Sequence, residues 1–155
     1  MKLEEISKRQ LILISLIGSG GSIKTLNEPI EGSIKLMKEA FLLKMELGKM
    51  ESGNQLQYHF VPYDFGPCSF EIYEELNSLI KGGIIKEDKH KTFSIYSIAD
   101  SYEEVIPKLI GSLEPEVKAA VMRIKRNFNG LSYYGLITHV YEKYPSYIKA
   151  SKFRL

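Results

Sequence analysis

Apolar residues recur at helical spacing along most of the chain, and this pattern predicts a mainly α-helical protein. In the second such segment, Ile34, Met37, Phe41 and Met45 share one face. Glycine residues close several of the segments, as is common at the ends of helices. The predicted helices span residues 3–17, 33–47, 70–81, 102–110 and 116–128, and a last helix begins after Ser132.

Two other segments show the alternation of apolar and polar residues that is typical of strands. One of them predicts a strand over 56–61. The other follows Gly82 and Gly83, which end helix 70–81, and it predicts a β-hairpin over 84–98 with a polar tip at 88–91.

A rigid loop bounded by prolines, FVPYDFGPCS at residues 60–69, leads into helix 70–81, and Ser69 is placed to cap that helix. Helix, tight turn, strand, basic tip and strand then follow in the order of a winged helix-turn-helix. We therefore predict an α+β fold that is mainly α with a small β-hairpin, a winged helix-turn-helix with additional C-terminal helices.

The length of 155 residues and the hydrophobic content of 44% fit one domain with one core. We predict a single winged-helix-like domain over 1–155. Within it, residues 1–113 form the helix-turn-helix core and the wing, and residues 114–155 form a helical extension that is a candidate for an appended subdomain.

The net charge of +2 is close to neutral, but the charge is unevenly distributed. Residues 1–113 contain 13 Lys and Arg against 16 Asp and Glu, whereas residues 114–155 contain 8 against 3. The whole molecule therefore has no strong field that attracts nucleic acid, and any such attraction must come from local patches.

Cys68 is the single cysteine of the sequence, which excludes an internal disulfide and predicts a reducing, cytoplasmic compartment. The apolar run at 11–17 is too short to span a bilayer, so no membrane association is predicted. The glycine-serine stretch after this run leaves secretion as a minor alternative.

The glycine-rich stretch GSGGSIKT at 18–25 resembles a phosphate-binding loop only superficially. Ile23 stands where that motif needs a glycine, and the residues before the stretch have helical rather than strand periodicity. We interpret the stretch as a flexible turn.

Catalysis is not predicted, although Cys68 lies at a helix N-terminus with His59 and Asp64 near it in sequence. We interpret Cys68 as a small residue that packs behind Pro67. The three histidines are dispersed and lack the spacing of metal ligands, so we predict no metal and no cofactor.

The surface of helix 70–81 is the first candidate for a nucleic-acid contact. Asn77, Ser78 and Lys81 are residue types that contact bases and phosphates. The same helix presents three carboxylates, which would repel a phosphate backbone but would suit a basic protein partner. These carboxylates are Glu71, Glu74 and Glu75.

Basic residues form further candidate contacts. The hairpin tip contains Lys86, Lys89, His90 and Lys91, and a solvated turn of this kind is also commonly charged. A second basic set is predicted on the exposed face of helix 116–128, and a third in the C-terminal tail. The second set is Lys118, Arg123, Lys125 and Arg126, and the third is Lys149, Lys152 and Arg154.

Three segments resemble the Panacea (SocA-like) and YwgA-like proteins. The segment YHFVPYDFGPCSFEIYEELNSLIKGGII, at 58–85, resembles their aromatic-Gly-Pro loop and Ser-capped helix. The segment LITHVYEKYPSYIKASKF, at 136–153, resembles their closing helix through its Val-Tyr-x-x-Tyr-Pro motif and the later Ser151. IEGSIKLMKEAFLL, at 30–43, is similar to their second helix. The resemblance covers the chain from about residue 30 onward.

The resemblance implies a winged-helix-like domain in a prokaryotic protein, either a transcriptional regulator or an antitoxin-like protein that binds another protein. It implies no enzymatic residues, and it carries over Gly66, Pro67 and Ser69 as structural residues at the entry to helix 70–81.

Our first functional prediction is a winged-helix DNA-binding regulator that contacts double-stranded DNA through the wing tip and a basic C-terminal face. A homodimer would bring two copies of each patch together. The alternative is an antitoxin-like or adaptor module that uses the acidic face of helix 70–81 to bind a basic protein surface.

Overall fold

The computed structural model of the chain describes residues 3–50 and 56–147. Its helices are α1 (Lys8–Gly18), α2 (Ser33–Leu47), α3 (Phe70–Lys81), α4 (Ile106–Gly111), α5 (Pro115–Phe128) and α6 (Tyr133–Lys143). Short 3-10 helices cover Leu3–Glu5, Asp100–Val105 and Pro145–Tyr147. The strands are β1 (Ile30–Glu31), β2 (Val61–Tyr63), β3 (Gly66–Cys68), β4 (Ile85–Lys89) and β5 (Ser94–Ile98). The predicted mainly helical α+β class is confirmed.

The larger sheet has the strand order β1-β5-β4, and both pairings are antiparallel. The hairpin between β4 and β5 pairs Ile85 with Ile98 at its base and Lys89 with Ser94 near its tip. The short strand β1, which lies between α1 and α2, pairs with the other side of β5. The hairpin predicted over 84–98 is therefore part of a three-stranded sheet.

The second sheet is a small hairpin of β2 and β3 within the predicted proline-bounded loop. Gly66 has a φ of 98°, and a Cβ at this position would lie 2.9 Å from the Tyr141 ring. Glycine therefore lets the chain turn while α6 packs closely against it.

Helix α1 is central to the core, because every residue from Ile12 to Gly18 is buried. It packs against β5, α4 and α5, and α2 packs against α5 and α6. On α2, Phe41 makes edge-to-face contacts with Phe60, Tyr144 and Tyr147 at centroid distances of 5.3, 5.1 and 4.8 Å. The C-terminal helices thus share the core with the N-terminal elements.

The structure reproduces several predicted boundaries and changes others. Helices α2 and α3 span the predicted residues. The helix predicted over 3–17 instead breaks before α1, because Ser7 and Gln10 form a capping box that starts a new helix. The segment predicted over 102–110 is first a 3-10 helix, and α4 begins only at Ile106, with Pro107 in its first turn.

The strand predicted over 56–61 has the expected alternation, since Leu56, Tyr58 and Phe60 are buried while Gln57 and His59 are exposed. Strand pairing, however, begins only at Val61. Within the described parts of the chain, no helix has the length and apolar character needed to cross a membrane.

Candidate nucleic-acid interface

Helix α3 buries one face and exposes another along its full length. Ile72, Leu76 and Leu79 point into the core. The exposed stripe on the opposite face consists of Phe70, Glu74, Asn77, Ser78 and Lys81. The three polar residues predicted to contact nucleic acid are therefore on one accessible face of the helix.

Two of the three carboxylates that the sequence places on α3, Glu71 and Glu75, are engaged by one cation. Arg9 of α1 donates from Nε to Glu75 Oε1 at 2.8 Å and from Nη1 to Glu71 Oε2 at 3.1 Å. Its Nη2 lies 2.7 Å from the same Glu75 oxygen. The guanidinium therefore bridges both carboxylates, because its planar group of donors can serve two acceptors at once.

The segment before β2 completes this network. The Tyr58 hydroxyl donates to Glu75 Oε2, and the Arg9 guanidinium lies over the Tyr58 ring at 4.8 Å from its centroid. The amide of His59 donates to Glu71 Oε1 at 2.6 Å, and this bond, together with Arg9, lowers the pKa of Glu71. We call Arg9, Tyr58, Glu71 and Glu75 the Arg9 cluster. Glu74 is the one predicted carboxylate left on the exposed stripe of α3.

The tip of the β4–β5 hairpin is basic and aromatic. His90 donates its amide to the Phe93 carbonyl at 2.8 Å, and the two rings stack at a centroid distance of 4.9 Å. His90 Nε2 lies 3.3 Å from Asp88 Oδ2. The predicted contact residues Lys86, Lys89, His90 and Lys91 are all exposed.

Arg123, one of the basic residues of α5, lies far from the hairpin tip. Arg123 donates from Nε to Glu46 Oε1 at 2.6 Å, near the C-terminal end of α2. The hairpin tip lies at the other end of α2, where Thr92 and Phe93 line a cavity with Gly32 to Lys35. At 1.5 Å per residue, the twelve residues between these two ends of α2 span about 18 Å. Arg126 is exposed on α5.

Lys125, which was placed on the exposed face of α5, is fully buried. Its ammonium donates to the carbonyl oxygens of Leu16, Ile17 and Ser19 at 2.8, 2.8 and 3.1 Å. These carbonyls lie at the C-terminal end of α1, where a helix leaves acceptors without partners. Lys125 is thus a structural cap, and burial lowers its pKa to about 8. The tail residues Lys149, Lys152 and Arg154 lie outside the described residues.

Glu39 of α2 is also buried, and neither of its carboxylate oxygens has a hydrogen-bond partner among the described residues. Burial raises its pKa to about 8, and the positive charges of Lys125 and Lys35 oppose this rise. The sequence contains a signal for the burial of Glu39. Glu39 lies at helical spacing from Leu36 and Leu43, within an apolar stripe.

The glycine-rich stretch at 18–25 binds a carboxylate of the protein itself. The amides of Ile23 and Lys24 donate to Glu28 Oε1 at 2.7 and 3.0 Å, and Asn129 Nδ2 donates to Glu28 Oε2 at 2.6 Å. A Cβ on Gly21 would lie 1.8 Å from Glu28 Oε2, so a larger residue there would displace the carboxylate from the amides that hold it. The stretch is therefore a turn whose amides hold the Glu28 carboxylate.

The entry to α3 is built from buried residues. Gly66, Pro67 and Ser69 are all buried, and Lys38 donates to the Pro67 carbonyl at 3.2 Å. Ser69 occupies the predicted N-cap position, but its hydroxyl makes no capping bond. Cys68 is buried, and burial raises the pKa of its thiol, which opposes formation of a reactive thiolate.

No protein-family model matches the chain, and none of the curated proteins compared with it is similar to it. In the ranges 3–50 and 56–147, no group of three or more His, Cys, Asp or Glu residues is arranged to hold a metal ion.

Proposed function

We propose that this protein is a winged-helix DNA-binding protein that acts as a transcriptional regulator. The observation that carries the proposal is the order of elements α1, β1, α2, β2, β3, α3, β4 and β5, combined with the antiparallel strand order β1-β5-β4, with the small β2–β3 hairpin inserted between α2 and α3. In this arrangement the short strand β1, between α1 and α2, pairs with β5 of the hairpin that follows α3. This order supports the assignment of α3 as the reading helix and of the β4–β5 hairpin as the wing in the proposed winged helix-turn-helix.

The surface of α3 supports this proposal better than the sequence suggested. Because Arg9 engages Glu71 and Glu75, the exposed stripe contains one carboxylate, Glu74, and one ammonium, Lys81. A nearly neutral stripe with Asn77 and Ser78 at its centre is compatible with a major groove, in which amide and hydroxyl groups contact base edges.

The wing supplies the positive charge in this proposal. Lys86, Lys89 and Lys91 are exposed on or beside its tip, where they would contact phosphates and add affinity without sequence preference. Arg123 has no part in the proposed contact, since it binds Glu46 at the far end of α2. Membership of the Panacea (SocA-like) or YwgA-like proteins remains part of the proposal and rests on the sequence segments alone.

A mobility-shift assay with duplex DNA at low salt tests the proposal. The Lys89→Ala/Lys91→Ala variant should bind more weakly by a similar factor on all sequences, and its salt dependence should be less steep by about one unit of slope per lost phosphate contact. A control variant, Lys49→Ala/Lys108→Ala, removes the same charge at exposed sites outside the wing and should lose less affinity. Absence of duplex binding by the wild-type protein at micromolar concentration would contradict the proposal.

A second candidate function is the antitoxin-like or adaptor module, and a pair of exposed aromatic rings favours it. Tyr63 and Phe70 contact each other edge to face at 5.2 Å and are 45% and 51% exposed. Phe70 lies one helical turn before Glu74 on α3, whereas Arg9 already engages Glu71 and Glu75. Aromatic residues of this kind are enriched in protein interfaces.

The two functions differ in how they respond to changes at this aromatic pair. In the adaptor function, Phe70→Ser/Glu74→Lys should abolish association with a partner that co-purifies with the wild-type protein, and Lys89→Ala/Lys91→Ala should not. Retained association in the first variant would exclude this surface as the docking site.

A further inference from the structure

A cleft lies between the wing tip, the start of α2 and the turn from α5 to α6. It consists of two adjoining cavities of about 530 and 400 Å³, which share Glu31, Lys35 and Tyr133 in their walls. Volumes of this size are in the range of small-molecule sites. None of the functional contacts described above involves this cleft, so it is a separate feature of the molecule.

Two aromatic rings from different elements line the second cavity. Phe93 belongs to the wing and is 45% exposed, and Tyr133 begins α6 and is 42% exposed. One face of the Phe93 ring is covered by His90, so a planar ligand would stack on the other face of Phe93, and each stacked base contributes substantially to binding. This lining favours a flat heteroaromatic ligand over a compact inorganic anion.

The cleft contains both carboxylate and ammonium groups, so a ligand that fits it has both hydrogen-bond donors and a negative charge. Glu31 is exposed in the wall common to both cavities, and its carboxylate can accept two N–H donors. Lys24 and Lys35 line the first cavity. Lys35 donates to the Asn129 carbonyl at 3.0 Å, which holds its ammonium at the cleft. A ligand with ring N–H donors and an anionic group satisfies both charges.

We propose that this cleft binds a guanine nucleotide. The base would stack on Phe93 and Tyr133, its adjacent N1–H and N2–H donors would bind the Glu31 carboxylate, and its phosphate would bind Lys24 and Lys35. Guanine fits the carboxylate better than adenine does, because the corresponding ring nitrogen of adenine is an acceptor and would face the negative charge.

Isothermal titration of the full chain with GMP tests the proposal, with AMP and ribose 5-phosphate as comparison ligands. GMP should bind more tightly than either. Tyr133→Ala should weaken GMP binding about tenfold, in the range expected for loss of one stacking ring. The matched control is Tyr134→Ala, which removes the exposed neighbouring ring that does not line the cleft and should leave GMP affinity unchanged.

Glu31→Gln provides a second, independent variant, and it should reduce GMP affinity to the level of AMP. Circular dichroism of each variant establishes that the helical fold is retained. The proposal is overturned if GMP binds no more tightly than ribose 5-phosphate, or if Tyr133→Ala and Tyr134→Ala have equal effects. These titrations contain no DNA, so their outcome is independent of the proposed DNA binding. Lys89→Ala/Lys91→Ala should bind GMP like the wild type.

Discussion

At the scale of single residues, two buried ionisable groups on neighbouring helices have the largest consequences. Lys125 keeps its three carbonyl partners at the end of α1, whereas Glu39 is buried without a hydrogen bond to either oxygen. A buried carboxyl that lacks partners is more stable as the neutral acid. Burial therefore favours the neutral acid form of Glu39, and the nearby charge of Lys125 opposes this effect.

The raised pKa of Glu39 predicts a specific dependence of stability on pH. Its folded-state pKa of about 8 lies above the value of 4.5 for an exposed glutamate. The contribution of neutral Glu39 to the free energy of unfolding is therefore complete below about pH 4.5. It is lost as the pH rises towards 8, because Glu39 ionises at a lower pH in the unfolded chain than in the folded protein. We expect Glu39→Gln to be more stable than the wild type at pH 8 by about 1–3 kcal/mol.

Urea denaturation between pH 5 and pH 8 measures this difference, and the advantage of the variant should shrink towards pH 5. Exposed Glu104 provides the matched control, since Glu104→Gln removes the same charge at the surface. If the difference in the free energy of unfolding between Glu39→Gln and the wild type is the same across this pH range, the pKa of Glu39 is not raised by burial.

Substitution of Lys125 should destabilise the protein, in contrast to Glu39→Gln. Lys125→Met keeps most of the volume of the side chain but leaves the carbonyls of Leu16, Ile17 and Ser19 buried without their donor. We expect a loss of about 3–5 kcal/mol in the free energy of unfolding, measured by urea denaturation at pH 7. Lys118→Met, at an exposed position on the same helix, should change stability by less than about 0.5 kcal/mol.

At the scale of elements, the orientation of α3 depends on the Arg9 cluster. This cluster connects α1, the segment before β2 and α3 through one guanidinium. The carboxylates are only partly exposed, with Glu75 at 15%, so the charges interact more strongly than in an ordinary surface ion pair. We infer that Arg9 positions the proposed reading helix and also removes two negative charges from its flank.

A double-mutant cycle tests this role of Arg9. Arg9→Ala should destabilise the protein by about 1–3 kcal/mol, because it leaves two adjacent carboxylates without their cation. The same substitution should cost less in a Glu71→Gln/Glu75→Gln background, where no unpaired charge remains. Lys8→Ala is the matched control, since Lys8 pairs with Glu114 in a well-exposed ion pair worth less than about 1 kcal/mol. Equal losses in both backgrounds would show that the charges are not coupled.

The elements were more predictable from the sequence than the contacts between them. The bounds of α2 and α3 follow from local periodicity, and the hairpin follows from alternation after Gly82 and Gly83. The Arg9 cluster joins residues 62 and 66 positions apart, and no local pattern indicates which cation meets which carboxylate. Lys125 was misplaced for the same reason, since a lysine in an amphipathic helix is ordinarily solvated.

At the scale of the whole molecule, the C-terminal helices are part of the core and not an attachment to it. Lys125 of α5 caps α1, and Tyr144 after α6 packs on Phe41 of α2. The side chains that α5 and α6 bury in the common core are Val117, Ala120, Val121, Ile124, Leu136, Ile137, Val140 and Tyr141. Burial of one large aliphatic side chain stabilises the folded state by about 1.5–3 kcal/mol. The free energy of unfolding of a whole domain is only about 5–15 kcal/mol.

The fragment 1–113, which contains the complete predicted helix-turn-helix core and wing, should therefore not fold alone. Losing even half of the eight buried side chains of α5 and α6 removes about 6–12 kcal/mol, which is comparable to the whole stability of a typical domain, and it leaves the end of α1 without its cap. Circular dichroism should show a fragment of low helicity without a cooperative thermal transition. Addition of the fragment 114–155 in trans should restore both signals, because the missing contacts are non-covalent. A fragment 1–113 that unfolds cooperatively by itself would instead establish an independent core with an appended C-terminal subdomain.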